Sequence, residues 1–103
     1  MGLFVAVHQH AAETCPAQDP AMGSMLLQHL APANAAGYGV TIRADAVAND
    51  KHTFYLIAEA ASQDQLERFL APFAQAGSVE ILPASTCETV VSSGGCSKVP
   101  TSA

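Results

Sequence analysis

With 103 residues and a mass of 10.6 kDa, the chain has room for one domain and no second core. Four Lys plus Arg stand against nine Asp plus Glu, for a net charge of −5; this lacks the basic footprint of a nucleic-acid binder and equally disfavours an anionic membrane surface. Half of the residues are apolar and only 13% are charged, so some apolar area is expected to be buried against a partner, most simply in a homodimer.

No apolar run reaches the roughly 18 residues of a spanning helix, and the first residues lack the basic region and cleavage pattern of a signal peptide. A cytoplasmic protein is expected. Three cysteines are too few, and odd in number, for a disulfide framework, and fit ligands, reactive thiols or small buried residues better.

LFVAVHQH alternates as a strand does, with Leu3, Val5 and Val7 on one face and Phe4, Ala6, His8 and His10 on the other. The Leu3/Val5/Val7 side is expected to meet the helices, which leaves His8 and His10 on the bare side. Asp19-Pro20 then starts a helix, Asp19 as cap and Pro20 in the first turn. Met22, Met25, Leu26 and His29 or Leu30 form its apolar stripe, and Pro32 and Gly37 bring it to a stop.

VTIRADAV and HTFYLIAEA read as two strands joined by a turn at Asn49-Asp50. Ser62 with Gln65 gives a capping box for a second helix, which carries Leu66, Phe69, Leu70 and Phe73 and is kinked or stopped by Pro72. SVEILP is a fourth strand. LAPANAAG at 30–37 echoes LAPFAQAG at 70–77, as a doubled βαβ unit would. The expected class is therefore α+β, a ferredoxin-like βαββαβ domain over residues 1–85 with an antiparallel four-stranded sheet in the order 4-1-3-2, pairing its open face into a dimeric α/β barrel. Residues 86–103 are Ser/Gly-rich with Cys87 and Cys96, and read as a flexible tail that could carry a soft-metal chelate or a redox pair.

The chemistry concentrates at the end of the first strand. Residues two apart on a strand share a face, so His8 and His10 can converge on one ion, and the loop to Cys15 is long enough to return a thiol to them. Imidazole and thiolate suit Ni, Cu or Zn. Taking the first and third strands as parallel neighbours makes Glu59 the fourth ligand and puts His52 at the far end, exposed. Glu13 is a candidate base or supporting carboxylate. His29, Met22 and Met25 read as packing residues.

VHQHAAETCP, the doubled βαβ and HTFYLIAEA together resemble small bacterial dimeric α/β-barrel proteins, many of them classed as domains of unknown function. A related group includes nickel-binding proteins. His8 matches the histidine that ends strand one in that layout, and Ala58-Glu59-Ala60 matches the end of strand three. The resemblance covers Leu3 to Pro83, and Cys15-Pro16 and the tail cysteines lie outside the match. The nickel of that group does not carry over directly, and the leading expectation is a cytoplasmic homodimer that binds a transition metal through His8, His10 and Cys15 for storage, sensing or handling. The wider superfamily also holds cofactor-independent monooxygenases and isomerases, so the competing expectation is a small enzyme with a histidine base or a Cys15 nucleophile in the same pocket.

Overall fold

The computed structural model describes residues 2–99. Four strands, β1 (Gly2–Gln9), β2 (Val40–Ala48), β3 (Thr53–Ala60) and β4 (Ser78–Ala84), form one antiparallel sheet in the order β2-β3-β1-β4. Read from the other edge, this is the 4-1-3-2 order. β1 and β3 run antiparallel, however, with Leu3 opposite Glu59 and Gln9 opposite Thr53. The end of β1 therefore lies beside the start of β3, and the parallel pairing expected from the sequence is corrected.

Each Leu-Ala-Pro echo divides a helix in two instead of closing it. α1 (Pro20–His29) is followed at once by α2 (Pro32–Gly37), and α3 (Gln63–Phe69) by α4 (Ala71–Ala76). Proline lacks the N–H that would continue a helix but suits a first turn, so it ends one and begins the next. Asp19 accepts from the Ala21 amide at 2.9 Å. Ser62 accepts from the Gln65 amide at 3.4 Å, and the Gln65 side chain accepts in return from the Ala61 amide at 3.1 Å. Both caps lie where the sequence places them. Beyond Ala84, where a flexible tail is expected, a short helix α5 (Cys87–Ser93) starts under a Thr86 cap and holds Val90 and Val91.

The helices cover the face that carries Phe4, Ala6 and His8, the reverse of the expected one. Phe4 is fully buried and His8 is 4% exposed, among Leu56, Ala58, Leu66, Phe69 and Phe73. Ala6, Ala58 and Ala60 keep this side shallow enough for helices to approach, and Phe4 fills the space between them. Leu3, Val5 and Val7 are half-buried on the uncovered side, beside the exposed Tyr55, Ile57 and Leu82.

Two local features shape the sheet. The β2–β3 register shifts between Ile42 and Ala44, so that Ile42 and Val47 both face the helices despite their odd separation. Gly77 is the second feature: a Cβ there would lie 2.1 Å from the Gln9 carbonyl oxygen, so only glycine lets β4 begin against the end of β1. Gly77→Ala is expected to cost about 2 kcal/mol through the forced backbone shift, read as a lower urea midpoint.

Candidate metal centre

The site lies where β1 ends, under α1. After Gln9 the chain leaves the sheet, and the His10 amide donates to the His52 carbonyl at 3.3 Å. His52 closes the hairpin after the turn Asn49–Lys51 with φ 47° and ψ 44°, a left-handed conformation rare for a side-chain-bearing residue. That geometry brings its ring to 5.3 Å from the His10 ring. On the other side, the 3₁₀ turn Ala12–Thr14 returns the chain, with the Cys15 amide donating to Ala12 and the Gln18 side chain bound to the same carbonyl at 2.8 Å. Ligand atoms of His10, Cys15 and His52 thereby lie within 4.8 Å of one another, a group that could hold a metal ion. Among the described residues it is the one group of three or more His, Cys, Asp or Glu with this property.

Hydrogen bonding fixes which nitrogen His10 offers. His8 Nδ1 lies 3.0 Å from the Ser78 carbonyl oxygen, which can only accept, so Nδ1 carries the proton and Nε2 is a lone pair. His10 Nδ1 lies 3.3 Å from that Nε2 and must therefore donate to it. The neutral His10 ring is left with its lone pair on Nε2, a buried atom with no hydrogen-bond partner. A histidine held by a carbonyl through a second histidine is the outer support that metal-bound imidazoles use.

Burial favours the neutral rings. The pKa of His8 is lowered, first by desolvation, with His10 adding to the effect and the bond to Ser78 opposing it. That of His10 is lowered by desolvation and by His52. Because both folded-state values lie below the ordinary 6.5, their contribution to stability is complete above pH 6.5 and is lost as pH falls below it. The urea midpoint of the protein in chelator is thus expected to drop between pH 7.5 and pH 5.0, and to drop less in a His8→Phe variant.

Two of the expected ligands are displaced. Glu59 stands at the opposite end of the sheet, facing Leu3, and its carboxylate pairs with Arg43 at 3.4 Å. An exposed pair of this kind is a surface contact worth under about 1 kcal/mol. His8 points to the same side as His10 but supports it from beneath; the third member of the cluster is His52, which the sequence places at the surface. Cys15 lies in the cluster. Glu13, Cys87 and Cys96 are exposed and outside the cluster, and all three cysteines are free thiols. His29 is a packing residue: its Nε2 donates to the Phe69 carbonyl at 2.6 Å and its ring stacks on Phe69 at 4.6 Å.

The cluster opens into a cavity of about 480 Å³ between α1 and the sheet. Its wall is apolar, from Leu26 and Leu27 of α1, Leu30 just after it, Val47 of β2, Phe54 of β3 and Phe73 of α4, with Asp45, Asn49 and the four site residues as the polar part. Met22 and Met25, expected in the α1 stripe, face outward, Met25 being 68% exposed. α1 stands over a cavity, which it lines with Gly23, Leu26 and Leu27, and Leu30 just after it.

No curated protein and no solved structure matches the chain. A family model, described as a domain of unknown function (DUF3303), matches residues 5–95, from β1 through the site and on past α5, and the chain belongs to that family.

Proposed function

We propose that this protein binds one transition-metal ion per chain through His10 Nε2, Cys15 Sγ and His52, and acts in metal storage, sensing or handling. The observation that carries this reading is the lone pair of His10: buried, unpartnered and fixed by the Ser78–His8 relay, on a ring that offers a nitrogen within 4.8 Å of a thiol and a second imidazole. A buried acceptor left unsatisfied costs about 1–3 kcal/mol, a cost that a bound ion removes. Two imidazoles and one thiolate suit Zn, Cu or Ni, and cellular availability then decides among them. The three free thiols fit a reducing cytoplasm.

The unit of function in this reading is a homodimer, formed by pairing the open faces of ferredoxin-like sheets into an α/β barrel. Val5, Tyr55, Ile57 and Leu82 supply the apolar patch for it. Sedimentation of the protein and of an Ile57→Lys variant separates a dimer from a monomer.

A second reading is favoured by the same relay: His10 Nε2 is also placed to take a proton from a substrate in the cavity, with His8 and the Ser78 carbonyl holding the imidazolium. Elemental analysis of untagged protein, after reconstitution with Zn, Ni and Cu and removal of excess, distinguishes the two. One ion per chain is expected. Less than a tenth of an ion with all three metals would overturn the metal reading and leave the base.

A further inference from the structure

We propose that the apolar cavity beside the His10/Cys15/His52 cluster takes a small apolar molecule bearing one anionic donor head, and that this head completes the coordination of the bound ion. The inference rests on the metal reading and adds to it a ligand class.

Three protein donors leave a tetrahedral ion one open position. All three donor residues line the cavity, so that position opens into it and not into the core. One thiolate leaves a divalent ion with a net charge of +1, and in an apolar chamber a singly charged anion neutralises the complex at the lowest desolvation cost. Most of the rest of the wall calls for an apolar body: Leu26, Leu27, Leu30, Val47, Phe54 and Phe73 offer no hydrogen-bonding side-chain atom, and Asp45 and Asn49 are its polar edge. The volume of about 480 Å³ falls within the range of small-molecule sites. When a thiol binds, its proton passes to the buffer, its sulfur lone pair forms the bond to the ion, and the coordinated water leaves; no electron is transferred.

Gly23 gives a way to fill the cavity without touching the ligands. It lines the chamber on α1, and a Cβ built there meets nothing within 4 Å. Gly23→Leu therefore occupies wall space, and Gly23→Ala serves as the control for helix propensity.

The test uses the full chain loaded with cobalt(II) under argon, titrated with ethanethiol and with pentane-1-thiol, binding being read from the cobalt absorption bands. The two thiols share one head and differ only in apolar length. Pentane-1-thiol is expected to bind at least about tenfold more tightly, because its three further methylenes leave water. Gly23→Leu should remove most of that difference without altering cobalt uptake or ethanethiol affinity, and Gly23→Ala should retain it. Equal affinities for the two thiols in the wild-type protein, or no thiol binding to cobalt-loaded protein, would overturn the ligand proposal while leaving the metal site standing. Failure of cobalt, zinc, nickel and copper alike to bind would overturn the metal reading first, and this proposal with it.

Discussion

Replacing His10 with alanine is expected to weaken metal binding by at least about 100-fold, and replacing Glu59 with glutamine to leave it unchanged. Groups that merely support a ligand account for 10–100-fold in affinity, so removing a ligand should reach or pass the upper end. His52→Ala and Cys15→Ser should behave like His10→Ala. His8→Phe belongs to the supporting class: the ring volume beside Phe73 is kept, but His10 loses the acceptor that fixes its tautomer, and a loss of about 10–100-fold is expected. Competition against a chromophoric chelator at pH 7.5 measures all five variants on one scale. Wild-type affinity in His10→Ala, or a large loss in Glu59→Gln, would contradict the site drawn from the geometry.

The largest expected effect on stability is at Phe4. It is fully buried on the central strand, between Ala58 of β3 and Pro83 of β4, and packs in one cluster with Leu66 and Phe69. Phe4→Ala removes a ring from a region whose neighbours are held by three strands and cannot collapse into the gap, so a loss of about 3–5 kcal/mol is expected. For a domain of this size that is a large part of its total stability, and the urea midpoint should fall accordingly. Met25→Ala, on the exposed side of α1, should change it by less than about 0.5 kcal/mol. A comparable loss at both positions would mean that the core does not lie between β1 and α3.

Much of this arrangement was written in local patterns. The alternation of β1, the Asp19 and Ser62 caps and the strand lengths are properties of short windows, and each element appears where those windows put it. Which face of β1 the helices cover is not local, since Leu3/Val5/Val7 and Phe4/Ala6/His8 are both apolar enough. A signal existed one strand away. Pairing β1 with β3 antiparallel sets Leu3, Val5 and Val7 opposite Glu59, Ile57 and Tyr55, and the face that contains a glutamate is the one to leave uncovered. The same pairing decides the third member of the cluster. Antiparallel strands bring the start of β3, and hence His52, to the end of β1, and send Glu59 away. His52 was hidden further by its backbone, because the left-handed turn that aims its ring at His10 leaves no mark in residue type. The return of Cys15 to the end of β1 was legible because five residues of loop suffice for it.

α1 contributes no fully buried residue, yet it roofs the cavity. Its detachment would expose little apolar surface and break few contacts of the sheet, so local opening there costs far less than global unfolding. The amides of α1 should exchange with solvent deuterium much faster than those of β1 and β3, and traffic to the buried imidazole can proceed through that opening while the strands stay paired.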